Sequence, residues 1–442
     1  MYNSTESVIL QFLILQNLIK NSSKMNHPII KFALISLIIL ISVNDSFAQQ
    51  YGWRGPDRSG IYKETGLMKS WPVAGPALIW ETTGIGKGYA SVTVTKDAVY
   101  ITGLKGTMDV LTAFSQDGKK LWEVPYGSMT EGVSMPETRC TATYFDGKLF
   151  VISGKGVLSC VSKDGKILWS VDYYKKYQLS LPRFGISESP VVVDNKVIAT
   201  TGGSIAAMAA FDINSGKVVW ETAPLNDGTQ YTNPLLVTEN GKKIIITHSE
   251  TYILAVNASD GKLIWKFDFG SVNNDKKGGK NYINTPIYRD GFVFAANGYK
   301  QTSAKIKVSF DGKEPSLVWT NPEINPHVGG MVLVGDYIYG STHDSNSKGR
   351  WICVDWNSGK TMWVTDWKNK GSVIYADGML YIYEEKDGNV GLVKPSGEKL
   401  DVVSSFQIKQ GDGPYWSHPV IDNGRIFLRH GDYLAVYNIK GK

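Results

Sequence analysis

Asp260-Gly261-Lys262-Leu263-Ile264-Trp265 reads as a tight turn followed by a short strand ending in tryptophan. The same phrase recurs as Asp117-Gly118-Lys119-Lys120-Leu121-Trp122 and Asp164-Gly165-Lys166-Ile167-Leu168-Trp169. It returns as Ser215-Gly216-Lys217-Val218-Val219-Trp220 and Ser358-Gly359-Lys360-Thr361-Met362-Trp363. A looser copy, Asp311-Gly312-Lys313, reaches Trp319 three residues late, and Ser396-Gly397-Glu398-Lys399-Leu400 has lost the tryptophan. Self-similarity at a fixed period is the signature of a repeat architecture.

The tryptophans stand at 80, 122, 169, 220, 265, 319 and 363, with Leu400 in the next place; the steps are 42, 47, 51, 45, 54, 44 and 37 residues. That is the length of one four-stranded propeller blade, roughly 40–50 residues. The chain ends on Asn438-Ile439-Lys440-Gly441-Lys442, a turn without a tryptophan strand. It begins its repeats with Ala77-Leu78-Ile79-Trp80, a tryptophan strand without a turn. The two ends are complementary. The sequence therefore predicts an all-β, eight-bladed β-propeller over residues 77–442, in which the first strand completes the last blade. Such closure leaves few free strand edges.

Blade three shows the script best. Pro190-Val191-Val192-Val193 is its inner strand, Val197 to Thr201 the second, Ala206 to Asp212 the third and Val218 to Glu221 the fourth. These runs are rich in β-branched and aromatic residues and are bounded by glycine and asparagine. Trp80, Trp122, Trp169, Trp220, Trp265, Trp319 and Trp363 recur at one step of the script. A single cofactor cannot touch seven symmetric positions, so each indole is expected to dock between blades with its N–H on a carbonyl.

The 442 residues carry 47 Lys and Arg against 41 Asp and Glu, a net charge of +6. Without residues 1–48 the balance is 44 minus 39, or +5. That excess is mild and has no long run of like charge, which argues against a nucleic-acid partner. Residues 25–48 read as a secretory signal: Lys24 and Lys31, the apolar core Phe32 to Val43, then Ser46-Phe47-Ala48. The core is too short for a transmembrane span, which needs about 20 apolar residues. The expectation is an exported protein, periplasmic or extracellular, in which residues 1–24 are an extended or non-native start. Residues 49–76 form a turn-rich lead-in that packs on the ring. Cys140, Cys160 and Cys353 are expected to be buried free thiols, Cys140 and Cys160 being separated by an intervening strand.

Register from blade three places the starts of the inner strands at the central channel: Tyr89 to Ser91, Arg139 to Thr141, Ser187 to Ser189, Tyr231 to Asn233, Ile283 to Thr285 and Trp416 to His418. The longest connections are Gly127 to Glu137, Tyr173 to Gly185, Gly270 to Asn281 and Lys409 to Trp416. Binding usually lives on such loops. The candidate ligand site is a channel mouth bounded by Arg139, Glu188, Asn233, Asn284, His327, Lys370 and His418. Its mixture of cations and amides suits an anionic or polyhydroxylated ligand. The plainer alternatives are a wet channel and an Arg139–Glu188 pair across neighbouring blades. His327, His343, His418 and His430 show no zinc spacing and are expected on different blades. Gly84-Ile85-Gly86-Lys87-Gly88 lacks the Ser or Thr and the helix of a phosphate loop and reads as a connection into a blade.

The script resembles the pyrroloquinoline-quinone-like (PQQ-like) repeat, in which a turn of the form Asp-x-x-Gly-Lys precedes a strand ending in Trp. Trp53-Arg54-Gly55-Pro56, Arg183-Phe184-Gly185-Ile186-Ser187-Glu188-Ser189-Pro190 and Trp416-Ser417-His418-Pro419-Val420-Ile421 are similar to stretches of secreted bacterial eight-bladed proteins. The resemblance implies a ring shared by quinone-dependent alcohol dehydrogenases and the non-catalytic assembly lipoprotein BamB. It makes PQQ and calcium conceivable cofactors, with Glu188, Asn233 and Asn284 as the calcium ligands. Two departures weigh against dehydrogenase chemistry. Asn284 stands where those enzymes place a basic aspartate, and their adjacent cysteine pair is missing. The reading adopted is a monomeric binding or scaffold protein for a protein partner or a small polar ligand, with no catalytic residues; the alternative is a PQQ-dependent oxidoreductase.

Overall fold

The computed structural model describes residues 50–179, 181–272 and 281–441; the expected signal segment and the residues before it lie outside them. The strands form eight sheets, each a four-stranded antiparallel blade in up-and-down order. Blade 1 starts at Thr93–Val94 and blade 7 ends at Asp401–Gln407. Blade 8 is composite: Val420–Asp422, Arg425–His430 and Tyr433–Asn438 are completed by Ala77–Thr82 from the other end of the chain. Trp80 pairs with Val436 and Ala77 with Asn438, so the predicted closure is present. Blade 7 gains a fifth, parallel strand, Ile61–Tyr62, on its inner edge.

Inner strands are only a few residues long; in blade 3, Val191 and Val193 are buried against blade 4 and Val192 against blade 2. The second and third strands of each blade carry most of the core, as at Ile244, Ile246, Ile253 and Ala255 of blade 4. The tryptophan strand does not end at its tryptophan: Leu263–Asp268 and Lys120–Ser128 both run past it. Instead the outer strand bulges immediately before the tryptophan. Register skips Ile79, Leu168, Val219, Ile264, Val318, Met362 and Val403, and Leu121 in blade 1. Most of these bulged apolar side chains face solvent. A bulge twists the free edge of each blade and interrupts its ladder, which opposes edge-to-edge pairing.

The indoles lie between blades. The Nε1–H of Trp122 donates to Lys163 O at 2.9 Å and that of Trp220 to Ala258 O at 3.1 Å, each in the following blade. Trp80, Trp169, Trp319 and Trp363 do the same. The repeated glycine covers the ring below. Gly165 has φ +82°, and a β-carbon there would sit 2.7 Å from the Trp122 indole, so the position excludes side chains on both counts. Blade 5 breaks the pattern: its three-residue insertion moves Gly312 into open space, and the buried Trp265 Nε1 has no partner. The three cysteines are free and buried, as expected. Cys140 precedes the first strand of its blade rather than lying in it, and its sulfur accepts a hydrogen bond from Ile152 N at 3.2 Å.

Candidate functional site

The centre of the ring is filled from the lead-in. Tyr51 bridges to Tyr144 in blade 2, and Trp53 Nε1 donates to Thr285 Oγ1 in blade 5 at 3.2 Å. Arg58 crosses the axis and donates to Ser189 O at 2.9 Å, to Pro234 O at 3.1 Å and to Pro190 O. Arg54 donates to Val373 O at 3.1 Å, to Met331 O and to His418 Nδ1 at 2.8 Å. Both guanidiniums are buried and paired with backbone carbonyls in blades 3, 4, 6 and 7. They neutralise the inward-pointing carbonyl dipoles that a ring of inner strands leaves at its axis. The signal was in the sequence, since Trp53-Arg54-Gly55-Pro56 was visible, but nothing local said that its arginine would reach across the ring.

Above this plug, an open cleft encloses about 950 Å³, counting the solvent at its mouth. Its wall comes from the loops that lead into the inner strands, plus Trp53 and Arg54 from the lead-in and Tyr299 from the second-to-third-strand loop of blade 5. The wall is aromatic: Trp53, Tyr89, Phe184, Tyr231, Tyr299 and Trp416. Tyr89 and Trp416 have ring centroids 4.9 Å apart, Phe184 and Tyr231 6.1 Å, and His327 and Trp416 5.4 Å. Among the described residues, no Asp or Glu lines the cleft.

Five of the seven expected site residues line this cleft: Arg139, Asn233, Asn284, His327 and His418. Arg139 lies over the Tyr89 and Phe184 rings and donates to Glu137 O, Phe184 O and Met135 O at 3.0, 3.1 and 2.6 Å. Its expected alternative partner, Glu188, is elsewhere. Glu188 is buried and accepts from Thr200 N at 3.0 Å, and burial pushes its carboxyl up to about 7 despite the nearby Arg58. Lys370 is also absent from the cleft wall. Its Nζ is wholly buried and donates to Asn346 O at 3.1 Å, Lys348 O at 3.3 Å and Ser345 O, with Glu385 Oε1 at 3.1 Å. Both residues left the predicted set because a long side chain at an inner-strand start can turn into a blade interface as readily as toward the axis.

The histidines also depart from expectation. His327 and His343 belong to the same blade, blade 6, with ring centroids 4.8 Å apart, and His418 and His430 share blade 8. His418 accepts from Arg54 at Nδ1, so its proton sits on Nε2, which donates to Val328 O at 2.8 Å. Burial and Arg54 push it down to about 3, so it is neutral. His327 faces Tyr299 Oη through Nε2 at 3.2 Å and Glu385 Oε2 through Nδ1 at 3.4 Å. Sequence reasoning missed Tyr299 and Glu385, which no motif marks.

A profile described as outer membrane protein assembly factor BamB matches residues 107–365, more than half of the chain. The chain belongs to the BamB family. Its fold is similar to that of BamB from Moraxella catarrhalis, at TM-score 0.60 and 15% identity over 82% of this chain and 99% of that one. It is also similar to quinohemoprotein alcohol dehydrogenase from Comamonas testosteroni, at TM-score 0.64 and 11% identity over 88% and 81% of the two chains. A third likeness, at TM-score 0.55 and 10% identity over 83% and 100%, is Sqt1 from Saccharomyces cerevisiae. At such identities the likeness carries the fold alone. No curated protein sequence matches the chain.

BamB-family membership leaves the cofactor question to the residues. Calcium takes six to eight oxygens. Here Glu188 does not line the cleft, Asn284 Oδ1 accepts from Gly330 N at 3.1 Å while its Nδ2 donates to Pro326 O, and Asn233 Oδ1 accepts from Ser189 N. The Arg58 cation bonds the carbonyl next to Glu188. Asn233 and Asn284 are committed to neighbouring blades and Glu188 to Thr200 N of its own blade, so the trio does not fit a calcium–quinone pair. Among the described residues, no three His, Cys, Asp or Glu side chains are placed to share a metal ion.

Proposed function

We propose that this BamB-family propeller is an exported binding protein whose aromatic cleft takes a small ring-shaped ligand, neutral or anionic. The observation that carries this reading is the cleft wall itself: six aromatic side chains, Arg139 and neutral His418, with no carboxylate among the described residues. Aromatic faces bury flat or ring-shaped solutes at low entropic cost, and a wall without acids does not repel an anion. The Arg54–Arg58 plug supports a rigid, preformed floor, which favours binding. No helix among the described residues is long and apolar enough to cross a membrane, in keeping with an exported ring. A scaffold role toward protein partners uses the same ring and is compatible with the family, whose profile is described as an assembly factor. The PQQ-dependent oxidoreductase reading is disfavoured by the commitment of Asn233 and Asn284 to backbone partners. Calorimetry of the purified protein against neutral sugars, sugar acids, aromatic acids and PQQ with calcium tests the reading. Trp416→Ala is expected to weaken binding of the cleft ligand at least about tenfold, as loss of a stacking anchor does. Tight uptake of PQQ with calcium, or no binding by any ring compound, would overturn it.

A further inference from the structure

We propose that Tyr299 and His327 make the cleft a proton-transfer site that cleaves a carboxylated sugar chain by elimination. The inference rests on the ring-ligand reading of the cleft. Tyr299 Oη lies 3.2 Å from His327 Nε2, His327 Nδ1 lies 3.4 Å from Glu385 Oε2, and Glu385 Oε1 lies 3.1 Å from Lys370 Nζ. A carboxylate on Nδ1 fixes the proton there and leaves the Nε2 lone pair facing the tyrosine. Lys370, wholly buried, holds Glu385 in place and cannot reach the cleft. His343 packs against His327 with its ring tilted by 43°, but burial pushes it down to about 3, so it adds no charge. Among the described residues, the titratable groups against His327 are Tyr299, Glu385 and His343, with Lys370 behind the carboxylate and Tyr231, Arg139 and Arg183 near Tyr299.

The backbone at this point is unusual. Tyr299 and Lys300 both have φ +62°, two successive non-glycine residues in the left-handed region. Such conformations cost on the order of 1 kcal/mol or more each and cluster at functional sites. Here they aim a phenol at the cleft from a loop outside the repeated script.

Charge and ring chemistry restrict the reaction. Glycoside hydrolysis uses two carboxyl groups flanking the scissile bond. Among the described residues the cleft wall supplies none, whereas it supplies stacking faces for a sugar ring and the Arg139 guanidinium for its carboxylate. What a Tyr–His pair can do there is take a proton from the carbon next to that carboxylate. The C–H proton passes to Tyr299 Oη while the phenolic proton passes to His327 Nε2. The C–H electron pair becomes a C=C bond, and the C–O bond at the next carbon breaks. The leaving oxygen recovers a proton from Tyr299 as His327 returns its own. Burial raises the Tyr299 phenol, so it acts in concert with His327 rather than as a free phenolate. Atoms and electrons balance without water, oxidant or reductant.

The test uses the full chain with oligogalacturonate, oligomannuronate and oligoglucuronate. Ultraviolet absorbance follows unsaturated uronate, and calorimetry follows binding of the same oligomers. The wild type is expected to form unsaturated product from at least one. Tyr299→Phe and His327→Gln should lower kcat by about 10²–10⁴ with affinity little changed, the usual share of general acid–base catalysis. Glu385→Gln, a change at a positioning residue, should lower kcat at constant KM and remove the Nδ1-bound proton resonance of His327. Circular dichroism melts verify that each variant folds. Binding of a uronate without unsaturated product overturns the chemistry and leaves the binding reading intact. Binding of no uronate overturns the ligand class as well. Product formation undiminished in folded Tyr299→Phe and His327→Gln overturns the residue assignment.

Discussion

The rim and the mouth of this ring come from the same repeated script, yet they obey it differently. At the rim, the tryptophan, the glycine beneath the next turn and the preceding bulge recur blade after blade, and the geometry recurs with them. At the mouth, equivalent inner-strand starts carry Tyr89, Arg139, Ser187, Tyr231, Ile283 and Trp416, and each does something different. The rim is an interface between identical neighbours, so one residue type solves it everywhere. The mouth faces a single axis, where symmetric residues would clash or repel, so the script is free to vary there.

The comparison is broken most severely at the ring's seam. Deleting residues 77–82 removes the outer strand of blade 8 and uncovers the blade 8–blade 1 interface. The expected loss is at least about 4 kcal/mol, more than most single truncations in a core cost. A scanning-calorimetry trace with unchanged melting would contradict closure by this strand.

The next test compares a covered and an uncovered tryptophan. Trp220→Ala is expected to cost roughly 3–5 kcal/mol. Gly261→Ala, which brings a β-carbon onto the Trp220 ring at φ +73°, should cost about 2 kcal/mol; Gly312→Ala, in open space at φ +90°, carries backbone strain alone, about 1 kcal/mol. Equal losses in urea denaturation would mean that indole contact does not set the glycine.

At the mouth, Glu188 sharpens the contrast through pH. Its folded carboxyl is raised from 4.5 to about 7 by burial, so the native state holds a proton that the unfolded chain has released. Stability from this group is therefore present below pH 4.5 and falls as pH rises toward 7. Glu188→Gln, which keeps an acceptor for Thr200 N, should stabilise the protein at pH 8 by about 1–3 kcal/mol and change little at pH 4. A variant less stable at pH 8 than the wild type would show that the Arg58 cation outweighs burial.

The smallest expected effect separates two indoles. Trp220→Phe loses a hydrogen bond, about 1 kcal/mol beyond the lost area, whereas Trp265→Phe removes an N–H that has no partner. Trp265→Phe should be the milder change by about 1 kcal/mol in matched melts. The opposite order would mean that Trp265 has a partner the fold does not supply.

The turn-and-tryptophan period, by itself, determined the blade count, the closure of Ala77–Thr82 on Tyr433–Asn438 and the docking of the indoles. Each of these is a local pattern repeated until geometry allows one ring. It also placed Arg139, Asn233, Asn284, His327 and His418 at the mouth, because strand register fixes where a residue starts. It did not decide where long side chains go. Glu188 and Lys370 turned into blade interfaces, where a backbone amide and a buried carboxylate satisfied them. Nor did it reveal that Arg54 and Arg58 fill the axis, or that Tyr299, His327 and Glu385 meet. Tyr299 and Glu385 are separated by most of two blades in sequence, and no local rule pairs them. Tertiary structure decided the site because carbonyls and charges converge at the axis only once the ring has closed, and side chains then follow hydrogen-bond demand rather than period.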